Sequence, residues 1–252
     1  NRGVMKIFLT SVGDFGIFSG SVFTRISRKR VRFGELIRQM YRVGVGSLSV
    51  VDLCALFIGL VLVLQTSSLL ARFGAEGQVA TIVGAAFVRE IGPVFAAIMF
   101  AGRVGTGVAA EIGSMVVTEQ VDAYRAFGLD PVAKLALPRV MAMTVMLPAL
   151  TAISCLVGIT GGYLLAYSET GVPPSVYLDK ALAAVTPIDV LGCLSKGAIF
   201  GLLIGLIATY SGFSTPRTTE GVGEATTRSM VNSVLVVLVA DLILTKFFML
   251  IG

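Results

Sequence analysis

The chain has 252 residues, of which 55% are hydrophobic and only 14% are charged. A soluble domain carries about 25% charged residues, so this composition excludes an ordinary soluble globular protein and indicates an integral membrane protein. The formal net charge of +5 comes without a basic stripe interleaved with aromatic residues, and we therefore expect no binding of nucleic acid.

Several kinds of enzyme are excluded by what the sequence lacks. It contains no histidine, which rules out Ser-His-Asp triads, HExxH zinc sites and histidine relays, and no GxxxxGK[ST] motif, so the chain does not itself carry a Walker-type ATPase. Cys54, Cys155 and Cys193 lie in separate apolar segments and predict neither a disulfide framework nor a metal site. We predict no catalytic residue, no metal and no cofactor bound by this chain.

The N-terminal region, residues 1–47, mixes basic and apolar positions. Within residues 22–42, Phe33, Ile37 and Tyr41 recur at helical spacing while arginines occupy the other faces. This pattern predicts an amphipathic helix that lies in the membrane surface on the cytoplasmic side. A solvated helix packed on a partner is the alternative.

Residues 48–252 form the predicted transmembrane domain, which gives an all-α integral membrane protein. Five apolar stretches are long enough to cross a bilayer. They are residues 48–70, 79–113, 139–166, 188–212 and 230–250. The connections before the first span and after the second and fourth hold most of the Lys and Arg. By the positive-inside rule, the N-terminus lies in the cytoplasm and the C-terminus outside.

Four charged residues lie near the middle of the predicted spans: Arg89, Glu90, Lys196 and Asp241. Each charge at that depth costs about 2.5–3.5 kcal/mol on insertion scales, so these side chains are expected to face inward and to meet one another or a ligand. Depth and sign favour a Glu90–Lys196 pair. Arg89 would meet Asp241 or a lipid phosphate, which guanidinium binds in bidentate fashion. A structural ion-pair network without a ligand is the alternative.

The second span is interrupted by Gly92-Pro93 directly after the charged pair. Pro93 has no N–H with which to bond the carbonyl of Arg89, four residues earlier. We therefore predict a long second helix that kinks or breaks here, with Gly92 easing the bend. Interrupted helices at this depth commonly line substrate sites.

A short cytoplasmic helix is predicted at about residues 118–128, in the sequence TEQVDAYRAFG. Thr118 is a plausible N-cap, acidic residues suit the first turn, and Gly128 suits the position after the last turn. Such a helix would meet a soluble partner. A linker lying on the membrane surface is the alternative.

The stretch REIGPVFAAIMFAGRVGTGVAAEIGSMVVTEQVDAYRAFGLDPVAKLALPRV, with VGITGG, CLSKGAIFG and GVGEATTRSMVNSVLVVLVADLILT further on, resembles the MlaE/YrbE permease family. This resemblance covers nearly the whole chain. It implies a homodimeric permease in the bacterial inner membrane that binds a cytoplasmic ABC ATPase subunit, which hydrolyses the ATP, and a hexameric MCE-domain protein outside. The cargo implied is phospholipid, moved to or from the MCE carrier, and the role implied is maintenance of outer-membrane lipid asymmetry.

The resemblance also assigns roles to individual residues. The positions implied to bind phospholipid are Arg89, Glu90, Lys196, Asp241, Leu69, Leu70 and Phe73, the last three through acyl chains. The positions implied to contact the ATPase, on a coupling helix, are Glu119, Gln120, Asp122, Tyr124 and Arg125. A proton-coupled carrier that uses Glu90, Lys196 and Asp241 as a relay is the alternative function.

Overall fold

The computed structural model describes residues 13–25 and 33–251, and every regular element within these two ranges is helical. The helices are α1 (13–25), α2 (Phe33–Ala71), α3 (Val79–Ala86), α4 (Gly92–Phe100), α5 (Thr106–Val117), α6 (Gln120–Ala126), α7 (Leu137–Thr170), α8 (Pro174–Ala183), α9 (Pro187–Phe213) and α10 (Thr219–Ile251). Three π-helical turns join neighbouring helices, at Phe87–Ile91, Ala101–Gly105 and Val132–Ala136.

The five predicted membrane spans are confirmed as five helical stretches long and apolar enough to cross a bilayer. They run over Phe33–Ala71, Glu76–Val117, Val132–Ser168, Pro187–Phe213 and Thr219–Leu250. In the most apolar stretch of α9, 56% of the residues are buried within the chain, against 11% for α10. Helix α9 is therefore central to the bundle, whereas most of the apolar stretch of α10 is not buried by the chain itself.

The N-terminal prediction needs a correction. Helix α2 is a single helix of 39 residues, so residues 33–42 are its first turns and do not form a separate interfacial helix. The predicted boundary after residue 47 falls inside this helix because no proline or left-handed residue interrupts it. Residues 26–32 of the predicted segment lie outside the described part of the chain.

Helix α1 packs on the ends of α7 and α9. Val22 is buried against Leu137 and Leu206, and the ring of Phe18 contacts the rings of Tyr210 and Phe213. The N-terminal residues that the structure describes are thus part of the packed bundle.

The second span is irregular where the sequence predicts it, but it does not break. Residues Phe87–Ile91 form a π-helical turn in which the N–H of Gly92 bonds the carbonyl of Phe87, and α4 begins directly afterwards with Pro93 in its first turn. A π turn widens a helix locally and reorients its side chains, and such turns are frequent at functional sites. Gly92 has another role than the one predicted: a Cβ there would lie 2.3 Å from the Cys155 sulfur, so glycine permits the close approach of α7.

Glycines also set how closely the long helices pack. A Cβ on Gly59 of α2 would lie 2.0 Å from the carbonyl oxygen of Gly158 in α7, and one on Gly201 of α9 would lie 2.4 Å from that of Met143 in α7. Backbones this close are typical of small-residue interfaces in membranes. Helix α7 is therefore held between α2 and α9, which fixes how α9 presents its polar residues.

Candidate functional site

The centre of the site is Lys196, a charged residue on α9 that is only 2% exposed. Its Nζ lies 2.9 Å from a carboxylate oxygen of Glu90, in the π turn of the second span, and 2.9 Å from Oδ1 of Asp241 on α10. The predicted Glu90–Lys196 pair is confirmed. Three separate spans bring these charges together, as their common depth predicts.

Every N–H of the Lys196 ammonium group has an acceptor. Nζ donates to the backbone carbonyl of Arg89 at 3.0 Å, to Glu90 at 2.9 Å and to the Thr245 hydroxyl at 2.7 Å. The Arg89 carbonyl is the one that Pro93 leaves without an α-helical partner. Since an ammonium has three donors, Asp241 contributes its charge, while its Oδ1 receives no hydrogen bond.

Thr245 joins the cation to the carboxylate within this cluster. Its hydroxyl accepts from Lys196 and donates to Glu90 at 2.9 Å. The sequence analysis missed this residue, although Thr245 follows Asp241 by four positions on α10 and residues so spaced share one helix face.

Arg89 meets a different acid from the one predicted. Its Nε lies 2.8 Å from Oδ1 of Asp189, and its Nη2 donates to Oδ2 at 3.1 Å. Of the two predicted partners of Arg89, Asp241 is wrong, because Asp241 pairs with Lys196 and the π turn directs Arg89 towards the start of α9. The other, a lipid phosphate, stays a prediction.

Asp189 is fixed by the local structure at the start of α9. It forms a capping box with Thr186, in which the Thr186 N–H and hydroxyl both donate to Asp189 Oδ2, at 2.9 and 2.8 Å. The sequence Thr-Pro-Ile-Asp carries this signal, with a capping residue three positions before the acid and Pro187 at the first helical position. Sequence reasoning missed Asp189 because it considered only charges near mid-membrane.

The charged groups line a cavity of about 380 Å³. The lining residues are Arg89, Glu90, Thr186, Ile188, Asp189, Gly192, Cys193, Lys196, Thr245, Phe248 and Met249. A second cavity, of about 660 Å³, adjoins it at Glu90, Thr245 and Met249 and adds Asp241, Leu242, Ile243 and Lys246. The two linings combine charged groups with apolar side chains, a combination that suits an amphiphile.

The three apolar residues assigned to acyl chains lie apart from these cavities. Leu69 and Leu70 belong to the last turn of α2, and Phe73 follows in the turn after it. Leu69 and Phe73 are exposed while Leu70 packs partly against the core. None of the three lines either cavity, and their contact with lipid stays a prediction.

The short helix predicted at about residues 118–128 exists as α6, but its predicted N-cap is wrong. Helix α6 begins at Gln120, after Glu119, whose φ of 59° is left-handed. Thr118 instead ends α5, with its hydroxyl donating to the Ser114 carbonyl at 2.8 Å. Gly128 has φ +69° and is the predicted stop. The left-handed backbone of Glu119 differs from that of Gly128, because a non-glycine residue held at positive φ costs about 1–3 kcal/mol. Such residues tend to occur at functional segments.

The residues of α6 and its flanks include an ion-paired aspartate and several exposed side chains. Asp122 bonds Arg125 at 2.9 Å and also Arg217, in the connection between α9 and α10, at 2.6 Å. Glu119, Gln120 and Arg125 are exposed, and Tyr124 is half-buried. Phe127, which the sequence analysis did not single out, is 82% exposed just after α6. The contacts of these residues with an ATPase stay a prediction.

An ion pair ties α1 to the connection that follows α6. Arg25 donates to Oδ2 of Asp130, while Oδ1 accepts the backbone N–H groups of Val132 and Ala133. Burial by itself raises the pKa of Asp130, but the Arg25 and backbone hydrogen bonds outweigh it and hold the pKa below its ordinary value.

Comparison with known proteins agrees with this architecture. The family model for the permease MlaE matches residues 36–247. A probable ABC transporter permease protein of Rickettsia bellii is 40% identical over 94% of this chain and 92% of its own length. The intermembrane phospholipid transport system permease protein MlaE of Haemophilus influenzae is 35% identical over 94% and 92%. A chloroplastic protein of Arabidopsis thaliana, trigalactosyldiacylglycerol 1, is 34% identical over 92% of this chain and 66% of its own length. This chain therefore belongs to the MlaE permease family of multi-pass membrane proteins.

Proposed function

We propose that this chain is the permease subunit of an ABC transporter that moves phospholipids between the inner membrane and an MCE lipid-carrier protein, and so maintains outer-membrane lipid asymmetry. A homodimer of this chain would bind a cytoplasmic ATPase at α6 and a hexameric MCE protein on the opposite side. The N-terminus would lie in the cytoplasm and the C-terminus in the periplasm.

The observation that carries this proposal is the charged cavity among apolar spans. Lys196, Glu90 and Asp241 converge from three spans, and the adjoining cavities add apolar side chains from the start of α9 and the end of α10. A phospholipid carries a phosphate that Arg89 can bind and acyl chains that suit these apolar faces. The relative in Haemophilus influenzae is named as a phospholipid transport permease, which supports the same cargo.

The proposal is tested by reconstituting the chain with its ATPase partner in vesicles and measuring ATP-dependent transfer of phospholipid to an acceptor. Arg89→Ala removes the half-exposed guanidinium at the cavity. One hydrogen bond to a charged group is worth about 1.5–3 kcal/mol, so transfer and co-purified phospholipid are expected to fall about tenfold or more.

Arg72→Ala is the matched control, because Arg72 is exposed just beyond α2 and does not line either cavity. It should transfer lipid as the unchanged chain does. Normal transfer by Arg89→Ala, or the absence of phospholipid from the purified complex, would contradict the proposal.

A proton-coupled carrier is the second candidate, and the hydrogen-bonded link from Lys196 through Thr245 to Glu90 favours it. Transport driven by a pH gradient, without ATPase and without ATP, would support this function. Transport that requires ATP and ignores the gradient would exclude it.

A further inference from the structure

The charges that line the cavity differ in how far a ligand can reach them. The side chains of Arg89 and Glu90 are 52% and 40% exposed, whereas that of Lys196 is 3% exposed. Asp189 and Asp241 are also largely covered, at 14% and 17%. A ligand entering the cavity therefore meets one cation and one anion, side by side in the same π turn.

The whole cluster does not form an anion site. Two cations, Arg89 and Lys196, face three carboxylates, those of Glu90, Asp189 and Asp241. The cluster is formally one unit negative, and Lys246 in the adjoining cavity brings it to neutral. A headgroup with a net negative charge therefore gains no net attraction from the site.

Arg89 can nevertheless bind a phosphate while its ion pair with Asp189 stays intact. The pair with Asp189 uses Nε and Nη2. A guanidinium has five N–H donors, so the edge formed by Nη1 and the second Nη2 hydrogen can still bind two phosphate oxygens. Asp189 meanwhile stays anchored by Thr186.

Glu90 is the matching site for a positive group. Lys196 donates to one oxygen of this carboxylate and Thr245 to the other, and the partly exposed Glu90 lines the cavity that Arg89 also lines. A lipid ammonium there would pair with Glu90, while the headgroup phosphate binds the neighbouring guanidinium. An anionic headgroup would instead bring its oxygens towards a like charge.

We propose that this cavity selects zwitterionic headgroups, in which an amine accompanies the phosphate, over singly anionic ones. The proposal rests on the proposed function and adds the charge class of the cargo. Arg89 binds the phosphate, Glu90 binds the ammonium, and Asp189 reduces the attraction of Arg89 for purely anionic lipids.

The test is competition between phosphatidylethanolamine and phosphatidylglycerol with identical acyl chains, offered in equal amounts to the purified full-length chain, with bound lipid measured by native mass spectrometry. The unchanged chain is expected to favour phosphatidylethanolamine about tenfold, the effect of one charge-assisted contact. N-acetylation of the amine removes its charge and should abolish this preference in the unchanged chain, without any substitution.

Asp189→Gln removes the carboxylate but keeps a residue that can complete the capping box, and it should shift binding several-fold towards phosphatidylglycerol. Asp179→Asn, on the exposed surface of α8, is the matched loss of charge and should leave the ratio unchanged.

Equal binding of the two lipids, preference for phosphatidylglycerol, or an unaltered ratio in Asp189→Gln would overturn the selectivity and leave lipid transport standing. No binding of either lipid would overturn both.

Discussion

A buried ammonium group is stable at Lys196 because each of its N–H groups has an acceptor and two carboxylates lie 2.9 Å from its nitrogen. The backbone takes part as well, since Pro93 frees the Arg89 carbonyl that receives one of these bonds. Removing Lys196 leaves the largely covered Asp241 and the partly exposed Glu90 without their cation, which costs more than the pair itself contributes.

The variant Lys196→Met should lower the free energy of unfolding by about 3 kcal/mol, because Glu90 and Asp241 lose their common counter-ion. Thr245→Val removes only a hydroxyl and should lower it by about 1–2 kcal/mol. Denaturant titration of the purified protein in detergent measures both values.

Thr160→Val is the control for this pair of variants. Thr160 is exposed on α7 and bonds only carbonyls of its own helix, so its replacement should change stability by less than about 0.5 kcal/mol. If Lys196→Met were no less stable than Thr160→Val, the cluster would not stabilise the bundle.

Among the helices, α1 contacts the rest of the described molecule through the buried Val22, an ion pair and a small set of aromatic contacts. Arg25 pairs with Asp130, and Phe15 and Phe18 pack against the ring of Tyr210. Because these contacts are few, α1 can detach while the rest of the bundle stays folded.

The depressed pKa of Asp130 makes this attachment dependent on pH. A carboxyl with a folded-state pKa below its unfolded value of about 3.9 contributes stability above that value, and the contribution is lost as pH falls through the folded pKa. Hydrogen exchange at residues 13–25 should therefore quicken as pH is lowered below about 4, after correction for intrinsic rates.

Asp130→Asn supplies the control, because an amide oxygen can still accept the Val132 and Ala133 N–H groups but carries no charge. Exchange in this variant should be faster at neutral pH and should lose the added pH dependence. A pH response identical to that of the unchanged chain would show that another group controls α1.

For the molecule as a whole, the proposed transport cycle requires that α6 pass a change in the ATPase to the charged cavity. Helix α6 follows α5 of the second span, and Asp122 joins it to the connection between α9 and α10 through Arg217. Because Glu90 lies in the second span, Lys196 on α9 and Asp241 on α10, a movement of α6 would reach all three members of the cluster.

Arg125→Glu should therefore uncouple ATP hydrolysis from lipid transfer in the reconstituted complex, reducing the lipid moved per ATP several-fold. Arg72→Glu makes the same change of charge at an exposed position after α2 and should leave this ratio unaltered. A normal ratio with Arg125→Glu, measured by parallel ATPase and lipid-transfer assays, would contradict the assignment of α6 to coupling.

The sequence by itself determined the features that depend on local composition. Hydropathy predicts the five spans because each must be apolar over a bilayer thickness. Charge depth predicts that Glu90, Lys196 and Asp241 converge, since unpaired charges in hydrocarbon are costly. Gly128 predicts the stop of α6 because few other residues adopt positive φ readily.

Only the tertiary structure decided which charges pair and where helices continue. Arg89 and Glu90 point about 100° apart on a helix, and their partners depend on how α9 and α10 are rotated, which close approaches such as Gly201 to α7 determine. Pro93 predicted an interruption but not its form as a π turn. Local sequence likewise did not predict that α2 continues through residues 33–47, because an amphipathic pattern is compatible with a surface helix and with the end of a long span.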